Sequence, residues 1–429
     1  MMERTKHRLR AHFLQLLPST ITAQQWPLVL TVTFFGSAVY KVTNLREVFY
    51  HQMQVALHLS NLQIGMLASV VGITSVVSNL FGGYLADRVQ PRYLISSAAF
   101  VSSLLTLIYL SYPPFWGLIG VHIGITICGM LLFWASYIRL IGRLGQVNQT
   151  SVYGLVEGVR SLLGIILPLG AIGLVNVMAT ARLGLRAALF YYAGCFALSG
   201  VAALKWLPDE PRIAQSQHGA TQRGAYRQLF GHPQLYLIIL VVFGTYAVFG
   251  LMSYTTPYMT LSHQFSPQVV SVVAIIRQYG VGCLSMPLFG YLSRHVQSPT
   301  KVIWWGLWGL LLAVSGLLVS QSAVSLVLSI GLIGFLDNGI RGIYFATQAE
   351  MHLPAAVMGV SAGLISGLGF SPDVVSFLVV GRWLDRLAPA TAYRLVWWTM
   401  LGAVVLSLLA ASGLWILKTH HECHRNGKE

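Results

Sequence analysis

Six ionisable residues lie deep inside long apolar stretches of the chain: Lys41, Arg46, Arg277, Asp337, Arg341 and Asp373. Charge is costly in such surroundings, so each group needs a partner or a polar cavity. Four are basic and two acidic, and positive charge remains once the two aspartates are paired. That excess suits a carboxylate or a phosphate. Arg277, in Ile275-Ile276-Arg277-Gln278-Tyr279, has no acid near it in sequence, and its planar fork suits bidentate oxyanion binding. Lys41 follows Tyr40 and has two readings, contact with an anion or a lock with Asp373. Arg46 lies nearer the end of its stretch, where a long side chain reaches water. Asp337 and Arg341 have the i, i+4 spacing of an internal salt bridge, which leaves Arg341 partly neutralised but still open to competition from an anion. Asp373 follows Pro372, which frees a carbonyl and bends a helix. Its carboxylate either takes a proton, giving coupling to a gradient, or stays ionised beside Lys41 or Arg277. Tyr40, Tyr246 and Tyr344 add hydroxyls for a polar ligand.

The elements that carry these groups follow from composition. Of 429 residues, 55% are hydrophobic and 9% charged, and the mean hydropathy is +0.67. A soluble domain is excluded. The apolar stretches reach about 20 residues, the length a helix needs to cross ~30 Å of hydrocarbon, and lack the alternation of barrel strands. An all-α membrane protein is expected, with spans near 26–50, 61–86, 93–112, 114–142, 150–179, 183–206, 234–261, 268–293, 302–319, 322–349, 355–384 and 392–417. The first run is too long for a cleavable signal and should remain as a span.

The net charge of +15 raises the question of nucleic acid, and its placement answers it. With the N-terminus inside, one face collects seventeen Lys and Arg against five on the other. The positive-inside rule then puts both termini in the cytoplasm, so the charge is topological and no nucleic-acid partner is expected. Cys128, Cys195, Cys283 and Cys423 have no motif spacing, so neither a disulfide nor a metal site is expected. Asn148-Gln149-Thr150 is a glycosylation triplet on a cytoplasmic loop and reads as chance. There is no Walker loop, no G-x-S-x-G and no ligand cluster, so no enzyme activity or cofactor is expected and ATP is not the energy source.

The chain is built twice. Gly82-Gly83-Tyr84-Leu85-Ala86-Asp87-Arg88-Val89-Gln90-Pro91-Arg92 returns about 207 positions later as Gly290-Tyr291-Leu292-Ser293-Arg294-His295-Val296-Gln297-Ser298-Pro299, with Arg294 in place of the acid. Gly154 to Pro168 likewise lines up with Gly359 to Pro372. The hydrophilic stretch 207–233 reads as a linker between a half at 1–206 and a half at 234–429.

The loop Gly83-Tyr84-Leu85-Ala86-Asp87-Arg88-Val89-Gln90-Pro91-Arg92 resembles the signature between helices 2 and 3 of the major facilitator superfamily, and the similarity in topology covers the whole chain. Gly36-Ser37-Ala38-Val39-Tyr40 and Gly381-Arg382-Trp383-Leu384-Asp385 are weakly similar to its organophosphate and organic-anion branches. The resemblance implies twelve transmembrane helices in two pseudo-symmetric halves, with helices 1, 4, 7 and 10 lining a central cavity. It also implies a gating network on the cytoplasmic side, in which Gly83, Asp87, Arg88 and Arg92 meet Arg139, Glu157 and Arg160 from helices 4 and 5.

The resulting expectation is a monomeric secondary active transporter in a bacterial inner membrane. It would move a small organic anion (a phosphate ester, a sulfonate or a polycarboxylate, including a carboxylate siderophore) by alternating access, with protons as a candidate coupling ion. Lys41, Arg277, Arg341, Tyr40, Tyr246 and Tyr344 would bind substrate, and Asp337 and Asp373 would couple or pair charge. The alternatives are a proton-coupled multidrug efflux antiporter, which prefers an acidic apolar cavity, and a transporter-like ligand sensor.

Overall fold

The computed structural model describes residues 22–144, 149–208, 231–319, 322–351 and 358–426. Among these there are only helices, and twelve of them span. In chain order they are α1 (Trp26–Thr43, continued by Arg46–Leu57 after a 41° bend), α2 (Asn61–Arg88), α3 (Pro91–Leu110), α4 (Phe115–Ile138), α5 (Gln149–Asn176), α6 (Ala181–Trp206), α7 (Pro233–Ser262), α8 (Pro267–Val296), α9 (Pro299–Val319), α10 (Ala323–Ala346), α11 (Met358–Gly369 and Pro372–Arg386) and α12 (Pro389–Thr419). Prolines open α3, α7, α8, α9 and α12, where a missing N–H costs nothing. Ser60, Thr180, Ser266 and Ser322 accept hydrogen bonds from the first free amides of α2, α6, α8 and α10. Polar caps at helix ends and apolar interiors are what a bilayer demands of spanning segments.

The halves repeat in their packing. In the first, α1 packs on α5 and α6, α2 on α4, and α3 on α4 and α6. Six helices later, α7 packs on α11 and α12, α8 on α10, and α9 on α10 and α12. The halves meet through α2 against α11 and, equivalently, α5 against α8.

In lipid, apolar burial gives no net drive for helix association, so close approach through small residues takes its place. A Cβ on Gly65 of α2 would lie 2.2 Å from the Phe377 carbonyl oxygen of α11, and one on Gly381 would lie 2.6 Å from the Asn61 carbonyl oxygen. Gly244 makes the same kind of approach to Ala403 and Ser407 between α7 and α12. Among the described residues, the closest cross-half packing lies where α2 begins and α5 ends. An even number of spans puts the start of α1 and the end of α12 on the opposite face, so this seal lies on the face away from them.

Three spans lose regular geometry at one depth near that seal. α1 bends between Thr43 and Arg46, α7 has a 3₁₀ turn at Met252–Tyr254, and α8 has a π turn at Ile276–Gly280. Such π turns cluster at functional sites. α11 breaks at Phe370-Ser371 before Pro372, the bend expected from the proline. The linker expected at 207–233 lies for the most part outside the described residues.

Candidate functional site in the central cleft

The first-half wall of the cleft is built on α1, α4 and α5. The Tyr40 hydroxyl donates to the Gly129 carbonyl at 3.2 Å, next to the π turn of α4 at Cys128–Trp134. Ser37 donates to the Arg160 carbonyl at 2.6 Å. Arg160 and Glu157 form an ion pair at 2.6 Å, and Tyr137, stacked on Trp134, donates to Glu157 at 2.7 Å. Both charged side chains are partly exposed, at 28% and 39%. The i, i+3 spacing pairs Glu157 and Arg160 with each other beside Tyr40. The side chains of Gly83, Asp87, Arg88 and Arg139 lie outside the described residues. Arg92 is described and lies beside the Tyr93 ring.

The second-half wall is built on α7, α10 and α11. Phe243, Tyr246 and Phe249 recur every three residues as half-buried positions among buried neighbours, a stripe facing the cleft. The Arg341 guanidinium lies 3.6 Å from the centre of the Phe249 ring and 5.7 Å from that of Tyr246, and it is hydrogen-bonded to Tyr344. The expected Asp337–Arg341 bridge is not formed. Asp337 is buried within electrostatic range of Arg341, but its Oδ1 has no hydrogen-bond partner among the described residues. The aromatic stripe of α7 draws the guanidinium away from it.

Asp373 is hydrogen-bonded to Tyr246, and Tyr246 stacks on Phe370 at 4.4 Å. The carboxylate fits between two glycines: a Cβ on Gly250 would lie 2.7 Å from its Oδ1, and one on Gly72 would lie 3.1 Å from its Cβ. Its charged neighbours are Arg46, Glu47 and Arg341, so neither sequence-level partner, Lys41 or Arg277, is the one it meets. Arg46 does not reach water: it is buried with its guanidinium 4.3 Å from the Phe377 ring centre.

Lys41 and Arg277 sit in the seal between the halves. The Lys41 ammonium donates to the Gly164 carbonyl of α5 at 3.2 Å and lies 3.1 Å from the centre of the Tyr279 ring of α8. Arg277 donates to the Met252 carbonyl and the Thr255 hydroxyl, holding the irregular turn of α7. Arg277 has no acid near it in sequence, but Glu47 of α1, more than 200 residues away, lies within electrostatic range of both Arg277 and Lys41. Glu47 was missed because it follows Arg46 near the end of a span and reads as interfacial. In the structure it is only 8% exposed. With Glu47 and Glu157 added, the deep acids number four, against five bases including Arg160, so the cationic excess is smaller than composition suggests.

Two further carboxylates hold helix ends. Asp385, at the end of α11, accepts from the Asn61 amide at 3.0 Å, the Asn61 side chain at 2.9 Å and the Leu62 amide at 2.7 Å, which closes the sealed face across the halves. A signal for it existed: Gly381 and Asp385-Arg386 repeat the spacing of Gly83 and Asp87-Arg88. On the termini face, Glu350 supplies the acid that the second loop copy lacks. It accepts from the Ser298 hydroxyl, the Thr300 amide and hydroxyl, and the Lys418 ammonium.

A twelve-helix bundle of two repeated halves is the architecture of a membrane transporter. The chain belongs to the Major Facilitator Superfamily, whose model matches residues 28–371. It is 26% identical over 397 residues to the inner membrane protein YqcE of Escherichia coli K12, covering 90% of this chain and 93% of that protein. It is 21% identical to a glycerol-3-phosphate transporter of Bacillus subtilis 168, covering 75% and 78%. Among solved structures, a D-xylose-proton symporter superposes with a TM-score of 0.73 at 13% identity, covering 92% of this chain and 98% of that one. The protein is thus a multi-pass integral membrane transporter with relatives in a bacterial inner membrane.

Proposed function

We propose that this protein is a monomeric secondary transporter that carries a small organic anion, such as a phosphate ester, a sulfonate or a polycarboxylate, by rocking residues 1–206 against 234–429 about the linker 207–233. Both termini lie in the cytoplasm and the sealed face is the outer one, which follows from the positive-inside count. The observation that carries the anion reading is Arg341. It faces the cleft over Phe249 and Tyr246, held by Tyr344 and without a carboxylate in ion-pair contact. Arg160 belongs to the other half, and in this reading closure of the two walls brings two guanidinium forks towards one ligand. Tyr40 and Tyr246 supply the surrounding ring and hydroxyl surface, and Asp337 and Asp373 hold the cationic wall in place as charge partners. A relative that is a glycerol-3-phosphate transporter supports the same class of ligand. Protons are the proposed coupling ion.

The test is counterflow in proteoliposomes with radiolabelled glycerol 3-phosphate, an alkylsulfonate, citrate and xylose. At least one anion should exchange, and Arg341→Ala should cut its rate at least about tenfold, equivalent to ~1.4 kcal/mol of lost binding. Exchange of xylose with none of the anions would overturn the reading in favour of a neutral solute, which the near-balance of deep acids and bases would also accommodate.

A further inference from the structure

On the face away from the termini, two arginines gather around one aromatic ring. Arg182 and Arg186 are i, i+4 in the first turns of α6, and the ring of Tyr112, from the turn between α3 and α4, has its centre 5.6 Å from one guanidinium and 5.0 Å from the other. The Tyr112 hydroxyl donates to the Arg182 carbonyl at 2.6 Å, which fixes the ring against the start of α6. The sequence offers no local acid: none occurs between Asp87 and Glu157, or between Glu157 and Asp209. Among the described residues neither arginine is in an ion pair, and Arg186 Nε is buried with no hydrogen-bond partner.

Three costs add at this spot. Like charges four residues apart on a helix repel, cations oppose the positive end of the helix dipole at an N-terminus, and the positive-inside rule disfavours arginine on this face. One bridging anion relieves all three. Its kind follows from where the arginines stand. Arg182 is exposed and Arg186 half-buried at the very start of a spanning helix, and α3 packs on that helix. Both helices expose apolar side chains at the same end, Leu183 and Phe190 on α6 and Leu107 and Ile108 on α3, and Trp116 at the start of α4 is 77% exposed. Guanidinium forks at the level of an interfacial tryptophan, with apolar stripes running inward from them, match a phosphate with acyl chains attached. We propose that Arg182 and Arg186, steadied by Tyr112, bind the phosphate of an anionic phospholipid headgroup. The site lies on the rim of the first half, away from the cleft, and does not depend on the cargo.

The test is native mass spectrometry of the full chain in detergent, titrated with phosphatidylglycerol or with phosphatidylcholine of the same acyl chains. The parent should bind its first phosphatidylglycerol at least about tenfold more tightly than phosphatidylcholine. Arg182→Gln combined with Arg186→Gln should bind the two lipids alike. Arg186→Lys, which keeps the charge but not the fork, should fall between the parent and the double variant. Arg394→Gln removes an exposed arginine at the same end of the other half and should keep the parent's preference. A double variant that retains the tenfold preference, or an equal loss in Arg394→Gln, overturns the inference. So does displacement of the bound lipid by inorganic phosphate at equal concentration, which would make the occupant a free anion.

Discussion

At the scale of single residues, the informative charges are those whose partners come from elsewhere in the fold. Glu350 is the plainest case, outside the membrane-spanning segment. Burial alone would raise its carboxyl, but hydrogen bonds from Lys418, Ser298 and Thr300 outweigh that and hold it below the usual carboxylate range. A depressed folded-state value means that the stabilisation is fully present above the unfolded carboxylate range and is lost as the pH falls through the folded value. The melting temperature of the purified protein should therefore hold through neutral pH and drop in acid. Glu350→Gln should flatten that acid limb and destabilise the protein by about 1–3 kcal/mol at neutral pH, since Lys418 and the hydroxyls lose an ionised acceptor. An unchanged acid limb in the variant would place the acid sensitivity elsewhere.

At the scale of elements, glycines decide how closely the spans approach. Gly65 allows α2 to lie directly against the Phe377 carbonyl of α11, which also accepts from the Tyr254 hydroxyl at 3.3 Å. Gly65→Ala forces the helices apart or bends one of them, at a cost of about 1–3 kcal/mol typical of overpacking. Gly120 on α4 has open space where a Cβ would go, so Gly120→Ala should change stability by no more than about 0.5 kcal/mol. Thermal melts of the two variants in one detergent check the difference. Equal melting temperatures would mean that the α2–α11 contact is not tight in solution.

At the scale of the whole molecule, the described residues join the two halves by few polar contacts, and each is a point at which the equilibrium between sealed and open faces can be biased. Asp385 is the strongest of these, because one carboxylate takes three donors from the start of α2. Asn61 in turn accepts from Tyr50 and Gln54, each at 2.8 Å, which extends the network along α1. Asp385→Ala should raise the open population. A cysteine at Val48, 9% exposed and bordering the groove between α1, α7 and α8, should then react faster with a membrane-impermeant maleimide than in the Asp385 parent. Loss of several charge-assisted bonds corresponds to a shift of about 1–3 kcal/mol, or roughly 5- to 150-fold in population. Equal labelling rates would remove Asp385 from the gate.

Composition and apolar length by themselves determined the helical membrane class and the spans, because a bilayer dictates the length and polarity of each span without reference to its neighbours. They also marked Arg341, Asp373 and Tyr246 as deep polar groups, and the break at Pro372. The internal repeats marked the doubled architecture, and the Gly83–Arg92 loop carried the resemblance to the family. Only the tertiary structure decided who meets whom. The i, i+4 spacing of Asp337 and Arg341 yields to an aromatic stripe on α7, Arg277 finds Glu47 from a helix more than 200 residues earlier, and Asp385 closes onto α2 from the far end of the chain. Spacing along one helix fixes which residues share a face. The partner a charge takes in lipid depends on which other helix brings a complementary group to the same depth, and that is set by packing across the two halves.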